Sequence, residues 1–462
     1  MGFNSQFNKV IEEKNLGGFI ERPHYKTGID YLDYINGHYN SKGELNLGIS
    51  GGRYATFVGG SGSGKSTIAI QAATNIVRQF QDDGTLIVYD CEKSASYERI
   101  CALGAFDIND FTKNIQGNMI KIINDKTNSD ALFELVNSLH AAKLEYFTGA
   151  KILKDSITRS GSGESYREKL YEIPPTIIIV DSWAAMPPAS IQDSNDMMNN
   201  MSAATIAKAN NGLVKKITDK LYEANIMLFT INHITTDIQT GYVQEDKRPL
   251  KWLKMGESLP GGKEIIYMTD CLVRLEQKAR LKKDAEFFVE GFVSEGTLMK
   301  SRSNASGISV PFIFEQRTGI DNVLTNYLYL KNLGLITGGG RGGFCLKDYP
   351  DWKFSQKDIR EVYYGDKNFR KAFNEVAHGA FVNLLTKFQN LDKDSDEVID
   401  ESGEEESPKI TKDQVAKMNL KSLKQICKEY GIDVDWRDYT VDNYKSTIRK
   451  ELVEQFDELF GE

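Results

Sequence analysis

The chain has 462 residues, 40% of them hydrophobic and 26% charged, with a formal net charge of −8, which is the balance of a globular protein with one large domain and room for appendages. No apolar run approaches the roughly 18–20 residues of a membrane span, and the start MGFNSQFNKVIEEKNLGG lacks a signal peptide's apolar core, so a cytoplasmic location without membrane attachment is expected. The cysteines Cys91, Cys101, Cys271, Cys345 and Cys427 have no CxxC spacing, which argues against a disulfide framework and against a zinc site.

The first chemical signal is YATFVGGSGSGKSTIAI, residues 54–70. Gly59, Gly64, Lys65 and Ser66 satisfy G-x-x-x-x-G-K-[ST], between a strand-like run and a helix-like one. The loop Gly59, Gly60, Ser61, Gly62, Ser63, Gly64, with Lys65, Ser66 and Thr67, is the expected ATP-binding segment. Its N–H groups turn inward, Lys65 neutralises β/γ-phosphate charge and the Ser66 hydroxyl is placed for Mg²⁺. LIVYD (86–90) is the next strand. It ends in Asp90 and is followed by Glu92, either a general base for an attacking water or a capping and salt-bridging acid. TIIIVD (176–181) is a buried strand ending in Asp181, a candidate Walker B carboxylate for Mg²⁺.

AATIAKANNGLVKKITDKLYEA (203–224) repeats small and apolar residues at helical intervals. IMLFTIN (226–232) is a strand leading to His233, and DCLVRLE (270–276) is a further one. Buried strands alternating with helices predict an α/β fold with a mainly parallel sheet, whose ligands sit beyond the strands' carboxyl ends. Residues 391–407 hold nine acidic residues against Lys393, which accounts for the whole net charge and leaves the remainder neutral. That segment reads as a solvated linker. Beyond it, Leu420, Leu423, Ile426 and Cys427, then Tyr444, Ile448, Leu452 and Phe456, mark two short amphipathic helices.

The P-loop, Glu92, Asp181 followed by Ser182, and the INH before a long polar loop stand in the order of the RecA recombinase family, and the chain resembles the phage recombinases of the UvsX kind over roughly residues 25–390. The resemblance implies a RecA-like P-loop NTPase core with a small C-terminal helical module. The divisions are an entry and polymerisation segment (1–45), the ATPase core (46–320), a small subdomain (321–390), an acidic linker (391–409) and a helical module resembling SAP or HeH units (410–462). It implies that Glu92 is the catalytic glutamate, that His233 senses the γ-phosphate, and that Lys300 and Arg302 in LMKSRSNASGISVPF reach a neighbour's ATP. By position, Arg99 or the nearby Tyr97 covers the adenine.

Two loops are then DNA candidates. PPASIQDSNDMMNNMS (187–202) has no Lys or Arg; the loop after His233 carries Lys247, Arg248, Lys251 and Lys254 around Trp252, and ends in the pair Gly261 and Gly262. ILKDSITRSGSGESYREKL (152–170) is longer than the family needs and reads as a surface insertion. Phe3, Phe7, Val10 and Ile11 are candidates to dock on a neighbouring copy. The implied activity is DNA-dependent ATP hydrolysis with Mg²⁺. The implied assembly is a helical filament on single-stranded DNA that pairs with double-stranded DNA, with a single-strand-binding or loader protein as a further partner. A replicative helicase of the DnaB kind and an ATP-gated DNA-binding scaffold with little turnover are the alternatives.

Overall fold

The computed structural model describes residues 22–40, 43–80, 83–106, 116, 119–148, 173–192, 203–236, 250, 252–254, 256–281 and 290–385. All of them belong to the first of the two units into which the chain divides, Met1–Phe388. Phe3, Phe7, Val10 and Ile11, the 152–170 insertion, most of the 187–202 loop, Lys247, Arg248, Lys251, the acidic linker and the C-terminal module lie outside the described residues.

Nine strands form the central sheet. In chain order they are β1 (Tyr54–Gly59), β2 (Thr85–Asp90), β3 (Ile120–Ile123), β4 (Thr176–Asp181), β5 (Ile226–His233), β6 (Cys271–Leu281), β7 (Gly291–Ser301), β8 (Ser309–Glu315) and β9 (Gly319–Ile320). Their spatial order is β9-β8-β7-β6-β1-β5-β4-β2-β3. From β3 through β6 all pairings are parallel, and β6 to β9 add an antiparallel extension. The α/β class with a mainly parallel sheet expected from the sequence is what the chain adopts. The four strands read from sequence are present, three within a residue of the expected bounds and β6 running five residues further.

Alternation explains why these runs are so apolar. Ile177 and Ile179 of β4 join one buried cluster with Phe57 and Phe229, while Ile178 and Val180 join another with Val58 and Leu228. A strand covered on both faces needs a hydrophobe at every position, and each fully buried Ile or Val contributes about 1.5–3 kcal/mol. One cover is α1 (Lys65–Arg78), which places Ile68, Ala69, Ala72, Ile76 and Val77 in the first cluster. The other includes α2 (Ser129–Thr148) and α3 (Ala203–Glu223), which place Val136, Val214, Ile217 and Leu221 in the second. A small three-stranded sheet (Ile336–Gly338, Phe344–Leu346, Tyr349–Phe354) and the helix Lys367–Val382 follow. They close over the entry helix Asp30–Ile35 through stacking of Phe381 on Tyr34 and Tyr329.

At the amino ends of the strands, Lys143 of α2 is buried and donates to the Pro174 carbonyl (2.6 Å), the Thr176 hydroxyl (2.9 Å) and the Asn225 carbonyl (3.3 Å). Burial pulls its ammonium down to about 7, whereas in the unfolded chain it titrates near ~10.4. Between those values the unfolded state holds more protons, so this group's penalty is full below about pH 7 and is relieved as pH rises. Urea melts should therefore show stability rising from pH 7 toward 9 by up to about 1.4 kcal/mol per pH unit from this residue. Lys143→Met should flatten that slope.

Candidate nucleotide site and the surfaces around it

The parallel register brings the strand ends onto one edge: Gly59 pairs with His233, Asp181 with Ile231, and Asp90 with Asp181. The P-loop leaves β1 at that edge and enters α1, with Gly64 as the residue capping the helix. Close approach fixes two of its glycines. A Cβ on Gly59 would lie 2.2 Å from the Leu275 carbonyl oxygen, and one on Gly64, at φ +97°, would lie 2.6 Å from the Phe314 ring. Both contacts are impossible without backbone or ring displacement. Gly64→Ala should lower stability by about 1–3 kcal/mol and weaken nucleotide binding together, read by urea melts and by titration with a fluorescent ATP analogue.

Lys65 is buried, and its ammonium donates to the Gly60 carbonyl at 2.6 Å. Burial pulls its pKa down, while Asp181 and Glu92 support the charge. Ser63 closes the loop on itself through the Gly60 carbonyl (2.9 Å), and the Ser294 hydroxyl of β7 holds the Ser63 carbonyl (2.8 Å). Gly60, Ser61 and Gly62 remain exposed, and Thr67 is half-buried. Ser66 donates to Asp181 Oδ2 at 2.7 Å. Burial pushes the Asp181 carboxyl upward, as do Glu92 and Asp90, against the Ser66 hydroxyl and Lys65. A hydroxyl and a buried, charge-crowded carboxylate fit a divalent cation that takes most of its remaining ligands from phosphate and water. Among the described residues no cluster of three or more His, Cys, Asp or Glu side chains is arranged to hold a metal by itself.

Glu92 sits just past β2, where its backbone N–H and that of Cys91 both donate to the Asp181 carbonyl (3.2 and 2.7 Å). Its carboxylate meets His233 Nε2 at 3.2 Å. Burial works against its charge, but hydrogen bonds from Ser182 and His233 and the charges of His233 and Lys65 outweigh it, so the carboxyl is held below its ordinary range. The group is thus a carboxylate with a free lone pair at the mouth of the P-loop. Asn232, one residue before His233, is buried and donates to the Pro260 carbonyl (2.6 Å), while its own Oδ1 accepts from the His233 N–H (3.0 Å).

Lys65, Ser66, Asp181, Glu92 and His233 therefore form one constellation, whereas Lys300 and Arg302 stand apart from it. They lie at the end of β7, with Lys300 paired to Leu272 and so level with the middle of β1 rather than its carboxyl end. Lys300 donates to the carbonyls of Ile266 and Tyr267 (2.8 and 2.5 Å). Arg302 donates to Tyr267 (3.1 Å) and pairs with Asp270 (3.1 Å). Arg99 is held by the carbonyls of Gln316 and Arg317 (2.8 and 3.1 Å).

Of the second loop, Trp252 is 37% exposed and its ring lies over Gly307, where a Cβ would come within 2.3 Å of the indole. Lys254 pairs with Glu276 at 2.9 Å. Gly261 (φ +90°) packs against the Trp183 ring and Gly262 (φ +103°) against Asn211, with a Cβ falling at 2.8 and 2.3 Å. The sequence reading missed three participants: Ser182 on Glu92, Trp183 on Gly261, and Asp270 on Arg302. For Ser182 there was a signal, its place directly after Asp181. Trp183 and Asp270 meet partners about 30 or more residues away, and nothing local announces such contacts.

No family model and no curated protein matches the chain. Similar solved structures include the ATPase domain of a helicase, at 13% identity and TM-score 0.37, covering 68% of this chain and 96% of that one. Another is the RadB recombinase, at 15% identity and TM-score 0.37, covering 65% and 99%. The strand order and the P-loop between β1 and α1 decide the class. The chain has an α/β fold with a mainly parallel sheet and a nucleotide loop at its carboxyl edge. Among the described residues no helix is long and apolar enough to cross a membrane.

Proposed function

We propose that the chain is an ATP-dependent DNA strand-exchange protein of the RecA kind, most like the phage UvsX recombinases, that assembles head to tail on single-stranded DNA. The observation that carries the reading is Glu92, held as a carboxylate between Ser182 and His233 at the mouth of the P-loop, on the strand end that runs into the lysine-rich loop. Gly59 through Ser63 wrap the triphosphate, Gly64, Lys65, Ser66 and Thr67 meet its phosphates, and Arg99 or Tyr97 covers the base. Mg²⁺, bound through Ser66 and Asp181, supplies charge neutralisation of the phosphate oxygens. Glu92 takes the proton of the attacking water. His233, bonded to Glu92, feels whether the γ-phosphate is present, and the adjoining loop is ordered or released accordingly.

Lys300 and Arg302 act on the triphosphate of the next copy, where two cations stabilise developing phosphoryl charge. Their distance from the P-loop edge of their own chain supports a role in trans. DNA is held by Lys247, Arg248, Lys251, Trp252 and Lys254, with Gly261 and Gly262 ending the loop. Negative-stain images with single-stranded DNA and a slowly hydrolysed ATP analogue test the reading. Open helical filaments are expected. Discrete six-membered rings would instead favour a helicase.

A further inference from the structure

Both hydrogen-bond partners of Glu92 lead to the same dipeptide. Ser182, which bonds the Glu92 carboxylate, is followed by Trp183, whose indole N–H donates to the Gly261 carbonyl at 2.9 Å. His233, the other partner, is preceded by Asn232, whose amide donates to the Pro260 carbonyl at 2.6 Å. The two routes close a ring that runs from Glu92 through Ser182 and Trp183 to Gly261, and back through Pro260, Asn232 and His233. Its members are not loosely placed: Trp183 is 1% exposed, Ser182 1% and Asn232 3%. The far side is pinned to α3, where Asn210 donates to the Trp183 carbonyl (3.2 Å) and Asn211 accepts from the Glu264 N–H (3.0 Å). Gly261 and Gly262 are glycines because Trp183 and Asn211 occupy the space a Cβ would need.

We propose that Trp183 and Asn232 are positioning residues that tie the Pro260–Gly261 dipeptide to the orientation of Glu92. Their target is the geometry of water activation, not nucleotide affinity, and neither side chain is among the groups that hold ATP. A displacement of the dipeptide, which closes the proposed DNA loop, is passed through two parallel bonds to the two groups that aim the carboxylate. Two buried amide or indole donors on successive carbonyls move as a unit, because releasing either one leaves an unsatisfied polar atom in an apolar surrounding. The second half of the proposal, that DNA is what moves the dipeptide, rests on the recombinase reading. The ring itself does not.

Trp183→Phe keeps the aromatic packing in place and removes only the N–H. Without DNA, it should lower kcat for ATP about 5- to 10-fold while KM and the affinity for a fluorescent ATP analogue stay within about 2-fold. Asn232→Ala should do the same, and the double variant should lose little more than either alone, because both act through one dipeptide. Trp183→His, which restores a ring N–H, should recover part of the loss. An unchanged kcat in Trp183→Phe overturns the proposal. So does a parallel loss of kcat and nucleotide affinity, or fully multiplicative effects in the double variant, since each marks general loosening. If wild-type turnover does not respond to single-stranded DNA, the recombinase reading fails while the DNA-free comparison still judges the ring.

Discussion

Glu92→Gln is expected to lower ATP turnover by roughly 10²–10⁴-fold, the usual contribution of a positioned general base, while ATP and single-stranded DNA still bind. The amide is nearly isosteric with the carboxylate, so Lys65, Ser66 and Asp181 keep their geometry. What is lost is the proton acceptor, which Ser182, His233 and Lys65 keep ionised against the push of burial. Single-turnover hydrolysis of radiolabelled ATP, beside titration with a fluorescent analogue, separates the two quantities. Turnover within about 3-fold of wild type would remove Glu92 from the chemistry and leave it a capping acid at the end of β2.

The second large effect concerns the cations. Arg302→Ala should lower turnover of the assembled protein by about 10³-fold or more, the scale of an arginine supplied in trans, and Lys65→Ala should abolish it. Mixing the two inactive proteins should restore activity. A site is whole when its P-loop comes from the Arg302 variant and its cations from the Lys65 variant, roughly one junction in four in a random open stack. No recovery in the mixture would place Arg302 in its own chain's chemistry or in none. Within one chain its partners are Asp270 and the Tyr267 carbonyl, on the edge of the sheet away from the nucleotide loop.

Some of this organisation was legible in the residues before the fold was known. The strands β2, β4 and β5 could be read because a parallel strand buried on both faces is an uninterrupted apolar run, and each ends in a polar residue where the sheet meets solvent. The P-loop was legible because its glycines answer a local demand for close backbone approach. The antiparallel extension β7 to β9 and the small sheet around Gly338–Gly343 were not, since short strands with mixed patterning acquire identity only from a distant partner. The same limit applies within the site. The pair Gly261 and Gly262 was visible as the end of a loop. That it makes room for an indole 78 residues away in the chain is a tertiary fact. Trp183 would pass for core filling in any reading of periodicity, and its N–H is the part that matters.

The paired register along the catalytic edge also limits where the gene can change length. One residue added inside β5 would turn His233 to the other face of the sheet and carry Asn232 with it, because side chains alternate strictly along a strand. An addition before β4 enters at the amino ends of the strands, where Lys143 binds Pro174 and Thr176 on the edge opposite the carboxylates. The extra chain after Thr148 joins there. Insertions and deletions are therefore free to accumulate on one rim of the molecule, while the other is held to whole-residue parity.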